Sequence, residues 1–236
     1  MLEGETAAMD EQWWEFEIDL SGFTYPQFLL FFFDRPVVGH ENEYYLLRTE
    51  MHRFVASDPT TVVGHVQAMC RNFAELTKVY SHEQLEQGLW AVFGVGISCE
   101  QYLFDPTVDS GVRMDCIECM YLPFRDVASR CTADVRQSFY FIWWHMILFT
   151  FWEAADYDYS GLADDRKRMA DTIYQTLSRI LALEHRGCQW CALHGLGHLH
   201  HPLVRDTVQD YLNAHRNKLT DEDVQWVEEC RDGSNL

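Results

Sequence analysis

Apolar and acidic residues alternate in a short segment near the start of the chain. The segment Trp13–Leu20 reads WWEFEIDL, and every second residue from Trp14 onward is apolar. A period of two predicts a half-buried β-strand over residues 13–20. Because a strand cannot satisfy its own backbone, we expect it either to pair with the short Pro36–Val38 segment or to leave an edge open for a partner strand.

From Glu41 onward the apolar positions recur every three or four residues, which predicts helices, the first over Glu41–Ala56. Residues typical of helix starts punctuate this pattern, and the second helix is expected to run to about Tyr80. The predicted starts are at Pro26, Asp58–Pro59, Ser81 with Gln84, Asp105–Pro106, Thr132 with Asp134, and Thr220. The sequence therefore predicts an all-α fold of about eight helices with one short N-terminal strand or ribbon. We expect one domain over residues 1–236, with a candidate seam in the acidic loop 156–165.

The longest apolar run is Phe139–Trp152, which reads FYFIWWHMILFTFW. Its 14 residues are fewer than the roughly 20 that span a bilayer, so no membrane contact is expected. A helix that is apolar on every side predicts a central core helix wrapped by its neighbours. His145 lies inside it, either as a buried base or as a core residue with one hydrogen-bonded nitrogen.

The segment Cys191–Ala214 resembles one repeat of the HEAT or PBS-lyase-like helical family. The matching features are Ala192-Leu193, Leu196-Gly197 and Leu199, Pro202 at the turn, and Val204, Val208 and Leu212 on the following helix. This family stacks helix pairs into an α-solenoid that usually binds proteins. The resemblance implies solenoid-like or orthogonal packing of helical hairpins, and it carries over no functional residues.

Acidic residues outnumber basic residues by 37 to 18, which gives a net charge of -19, although 47% of the residues are hydrophobic. Such a chain is too apolar for a disordered acidic tail, and it lacks the basic stripe of a nucleic-acid binder. The acidic N-terminal residues are the reverse of a signal peptide, so we expect a cytoplasmic protein with reduced cysteines.

The charge favours a non-catalytic scaffold that docks on a basic protein partner, with a bacterial immunity or antitoxin-type inhibitor as the most concrete example. No GxSxG, P-loop, GxGxxG or HExxH motif is present, and no small-molecule substrate is indicated. The predicted partner-binding residues are Trp13, Trp14, Glu15, Glu17, Asp19, Asp156, Asp158, Asp164, Asp165, Asp221, Glu222 and Asp223.

A cluster of cysteines and histidines supports the alternative hypothesis of a metal-dependent enzyme or metal-stabilised module. Cys188 and Cys191 form a CxxC pair that precedes His194 and His198. Four ligands along one helix cannot converge on one tetrahedral ion, so a second helix must contribute. The candidate zinc ligands are Cys116, Cys119, Cys191, His194 and His198. Core packing of these residues and a redox pair are the other two interpretations, and under core packing no cofactor is bound.

Overall fold

Eleven α-helices and two short β-strands make up most of the regular structure in the computed structural model, which describes residues 16–37, 52–94, 97–131, 135–152 and 157–234. The all-α fold class predicted from the sequence is confirmed. The strands are β1 (Phe16–Asp19) and β2 (His52–Val55). The helices are α1 (Tyr25–Phe33), α2 (Pro59–Arg71), α3 (Phe73–Leu76), α4 (His82–Phe93), α5 (Ser110–Cys119), α6 (Tyr121–Asp126), α7 (Phe139–Trp152), α8 (Asp164–Leu181), α9 (Arg186–Leu199), α10 (Val204–His215) and α11 (Asp221–Asp232).

The N-terminal strand has a different mate from the one that the sequence predicts. β1 pairs in parallel with β2, and Asp19 lies opposite Val55. The expected mate Pro36–Val38 is not the strand that β1 pairs with: the carbonyl of Pro36 accepts a hydrogen bond from the Gln87 side chain on α4, and Val38 lies outside the described residues. The predicted helix Glu41–Ala56 is also wrong at its end, where β2 lies, while residues 41–51 are outside the described residues.

Local capping chemistry places several helix starts where the sequence predicts them. α1 carries Pro26 in its first turn, the Asp58 side chain caps α2, and capping boxes open α4 and α11. Two boundaries differ. α2 ends at Arg71 rather than near Tyr80, and α5 begins after Asp109 rather than at Asp105. Asp105 instead accepts a hydrogen bond from the Thr107 backbone at 2.8 Å and so forms a turn. Aspartate forms such turns as readily as it caps helices. The predicted start at Thr132 lies outside the described residues.

The aromatic helix α7 packs against several other elements, but it is not wrapped on every side as its apolar pattern predicts: Phe149 is 60% exposed, and Ile142, His145 and Met146 are half-buried. Trp143 and Trp144 have no exposed surface although they point in different directions, because α4, α9 and the 3-10 helix Cys99–Phe104 pack around α7. α8 packs against α5 and α9. No helix in the described part of the chain combines the length and apolarity required to cross a membrane.

α7 and α9 approach each other closely at Gly195. A Cβ atom at this position would lie 2.7 Å from Cβ of Trp144 on α7 and 2.8 Å from Cδ2 of Leu177 on α8. Glycine therefore allows three helices to meet at one point. α9 then turns at Pro202 into α10, as the repeat-like pattern suggests, and membership of the HEAT family stays a prediction.

Candidate metal centre

Three histidine side chains converge where α7 meets α9. His145 lies on α7, and His194 and His198 lie one turn apart on α9. One ring nitrogen from each lies within 4.8 Å of the corresponding nitrogens of the other two, which makes this trio the one metal-ligand group found among the described residues. Because His194 and His198 are four residues apart, the helical period places them on the same side of α9. The close approach of α7 and α9 at Gly195 brings His145 next to this pair.

Two of the three distances in this cluster are close to those of ligands on one ion. Nε2 of His198 lies 3.1 Å from Nδ1 of His145 and 3.1 Å from Nε2 of His194. Nitrogen ligands at 2.0–2.1 Å from a tetrahedral zinc ion are about 3.3–3.4 Å apart. Two of the three pairs therefore lie a few tenths of an ångström inside that spacing, whereas the His145–His194 pair lies within 4.8 Å and would have to close by up to about 1.4 Å to hold such an ion.

Hydrogen bonding fixes the tautomer of one of these rings. Nδ1 of His194 donates to the carbonyl oxygen of Phe141 at 2.8 Å, so in the neutral ring Nε2 directs its lone pair toward the cluster. Nε2 of His198 lies within hydrogen-bond distance of both Nδ1 of His145 and Nε2 of His194. In this tautomer Nε2 of His194 can accept a hydrogen bond from His198 or act as a metal ligand.

Burial keeps these imidazoles in the form that binds metals. Desolvation lowers the pKa of His145 and of His194. Desolvation, followed by the neighbouring histidines, lowers the pKa of His198 to about 3. Because a metal ion competes with protons for the same lone pairs, neutral rings at pH 7 favour metal binding.

The surroundings of the histidines hold the rings in place. The Phe141 ring stacks on His194 with 4.3 Å between ring centroids, and the Trp152 indole donates to the carbonyl of His198 at 3.1 Å. Carbonyl partners such as that of Phe141 are the usual means by which proteins orient a metal-binding histidine. The arrangement therefore includes outer contacts as well as candidate ligands.

A cleft of about 480 Å³ opens onto two of the three histidines, His145 and His198. We call it the aromatic cleft. Its other lining residues are Leu148, Phe149, Trp152, Tyr157, His200 and Gly233. None of these described lining residues is a carboxylate, a lysine or an arginine. An ion held by the histidines would thus be reached through a mainly apolar opening.

The structure places two of the predicted zinc ligands in a different part of the fold. Cys116 and Cys119 lie on α5, which packs against α2, and the thiol of Cys119 donates to the carbonyl of Cys116 at 3.0 Å. Cys191 is fully buried on α9. Of the five candidates, His194 and His198 come together, and His145 joins them in place of a cysteine. The sequence marks His145 as buried but cannot show which helix its ring faces.

Several carboxylates predicted to contact a partner have partners within the chain. Hydrogen bonds from Ser21 and Ser57 lower the pKa of Asp19 to about 2. Asp158 accepts from the backbone of Ser160 at 2.9 Å, and Asp165 pairs with Arg113 at 2.9 Å. Structural roles therefore account for part of the negative charge.

The remaining predicted partner residues divide into three groups. Asp223 completes the capping box of α11 with Thr220 and pairs with Arg186 at 2.7 Å, and Asp221 pairs with Arg216 at 3.1 Å. Among the described residues, no ion pair is seen for the exposed carboxylates Glu17, Asp164 and Glu222. The residues outside the described ranges are Trp13, Trp14, Glu15 and Asp156.

Comparisons with protein-family models, with curated proteins and with solved structures find no match to this chain. The geometry of the histidine cluster and the charge of the surface are therefore the features that indicate a function.

Proposed function

We propose that this protein binds one divalent transition-metal ion, zinc in the first instance, through His145, His194 and His198. The observation that carries the proposal is the convergence of three ring nitrogens within 4.8 Å, two pairs of which are 3.1 Å apart, close to the spacing of ligands on one ion. Imidazole ligands suit zinc, copper, iron and nickel, whereas calcium and magnesium prefer oxygen.

The number of ligands indicates what kind of site this is. Structural zinc sites are closed by four protein ligands, whereas catalytic sites use three and keep one position open. An ion with an open position acts as a Lewis acid toward whatever binds there. Since the aromatic cleft reaches His145 and His198, the site supports metal-dependent chemistry more than a purely structural ion.

Metal titration tests this proposal directly. We expect chelator-treated protein to bind one equivalent of Zn²⁺ in isothermal titration calorimetry, and His145→Gln to weaken binding by at least about 100-fold because one of three ligands is lost. Zinc at 100 times its dissociation constant should also stabilise the wild-type protein by about 2.7 kcal/mol.

His215→Gln is the matched control for this experiment. His215 lies on α10, where its Nδ1 is 3.0 Å from the carbonyl of Tyr211, and it is not part of the cluster. This variant should bind zinc like the wild type. The absence of zinc binding, or equal affinities of His145→Gln and His215→Gln, would contradict the proposal.

A second proposal concerns the surface: the net charge of -19 supports docking on a basic protein partner. Electrostatic steering raises association rates and is screened by salt. We expect a partner retained on the immobilised protein at low salt to be basic, and its association rate to fall at least about tenfold between 0.05 and 0.5 M salt. Surface plasmon resonance measures this rate, and a rate that does not change with salt would refute the proposal.

A further inference from the structure

The aromatic cleft has the dimensions of a small-molecule site. Its volume of about 480 Å³ lies within the range of about 300–1,000 Å³ that ligand pockets occupy. Phe149 and Tyr157 line it while keeping 60% and 54% of their surface exposed, and Trp152 supplies a buried wall. Large apolar side chains left exposed at the mouth of a cleft are a common feature of binding sites.

The backbone at one side of this cleft is strained. His200 ends α9 with a φ of 51°, and Tyr157 has a φ of 53°. Residues other than glycine rarely adopt this left-handed backbone region. The two rings meet edge to face with 5.3 Å between centroids. Strain of this kind costs about 1–3 kcal/mol per residue and is concentrated at functional sites. Here it holds two ring side chains against the opening.

We infer that the open position of the metal ion accepts a small, uncharged aromatic molecule with one nitrogen or oxygen donor atom. This inference depends on the proposed metal site. The ion binds the donor atom, and the aromatic cleft packs against the ring.

The charge of the lining decides between classes of ligand. Within the described lining no lysine, arginine or carboxylate can pair with a charged group on the ligand. The arginines of the neighbouring α10 and α11 are already paired, since Arg205 and Arg231 contact Asp232 at 3.2 and 2.8 Å. An uncharged ring therefore fits the cleft better than a sugar phosphate or an amino acid.

Cobalt-substituted protein allows this inference to be tested without knowledge of any reaction. Co²⁺ replaces Zn²⁺ in such sites, and its visible absorption changes when a new ligand binds. We expect 4-phenylimidazole to bind at least about ten times more tightly than imidazole, because only its phenyl ring gains contact with the cleft. Phe149→Ala should reduce this preference to less than about threefold.

Val79→Ala is the matched control, because Val79 is a similarly exposed apolar residue, 72% exposed, that does not line the cleft. It should leave the preference for the phenyl ring unchanged. Equal affinities of the two azoles for wild-type protein would overturn the inference, as would a preference that survives both Phe149→Ala and Tyr157→Ala.

The cobalt content of the protein distinguishes failure of the proposed metal site from failure of the proposed ligand site. Protein that takes up no cobalt refutes the metal proposal and this inference together. Protein that holds one equivalent of cobalt but shows no spectral change with either azole keeps the metal site and overturns the inference alone.

Discussion

Replacing Glu100 with glutamine should stabilise the protein by about 2–4 kcal/mol at pH 9 and have little effect at pH 4. Glu100 lies in the 3-10 helix Cys99–Phe104 and is 2% exposed. Its Oε1 accepts a long hydrogen bond of 3.4 Å from Thr150, and its Oε2 has no hydrogen-bond partner. Burial of this carboxyl raises its pKa to about 8.

The direction of the pH dependence follows from this raised pKa. The ordinary pKa of this carboxyl is 4.5. Between pH 4.5 and about pH 8, the folded protein therefore keeps a proton on Glu100 that the unfolded chain releases. Stability contributed by the neutral carboxyl is therefore complete below about pH 4.5 and is lost as the pH rises to about 8. The whole pKa shift of Glu100 corresponds to a loss of at most about 5 kcal/mol in the free energy of unfolding, and entry of water around the carboxylate reduces that loss. Glutamine has the shape of the neutral acid and does not titrate.

Urea denaturation of both proteins from pH 4 to pH 9 measures this effect. The difference between wild type and Glu100→Gln should grow with pH and level off above about pH 8, because titration of all other groups is common to both proteins. Glu118→Gln, at an exposed position on α5, should show no such growth. A constant difference across the pH range would show that Glu100 ionises normally.

Gly195→Ala should destabilise the protein by about 2–3 kcal/mol and also weaken zinc binding. The added methyl group would lie 2.7 Å from Cβ of Trp144 and 2.8 Å from Leu177, so α9 must move away from α7 or α8. Cβ of Trp144 is fixed to its helix backbone and cannot rotate away. Because His145 lies on α7 and the other two ligands on α9, the same displacement separates the ligands.

Gly64→Ala is the control for this substitution, because a Cβ atom on this α2 glycine would have nothing within 4 Å. Alanine should stabilise α2 by up to about 1 kcal/mol. Thermal denaturation and zinc titration of both variants check the prediction. Gly195→Ala protein with wild-type stability and zinc affinity would show that α7 and α9 can separate without cost.

The features predicted correctly from the sequence are those that depend on residues close together along the chain. The capping box at Ser81 and the proline after Asp58 are local signals, and both helices start where these signals predict. The apolar run Phe139–Trp152 is also helical as expected. Local signals fail where the same residues are suited to two different local structures. Asp105 before Pro106 suits a helix start and a turn equally well, and in the structure its carboxylate accepts from Thr107 in a turn.

The candidate site is predicted only in part, because it depends on which helix faces which. The spacing of His194 and His198 identifies them as one pair on α9, but no pattern in α7 shows that His145 points toward them. The cysteines on α5 look equally suitable in the sequence, and α5 packs against α2 instead. Glu100 carries no sequence signal at all, since its burial is set by the packing of α7.

His145 and His198 are 53 residues apart along the chain, yet their ring nitrogens are 3.1 Å apart. An ion bound as proposed would link α7 to α9 across this separation, and it would do so only after the two helices have docked.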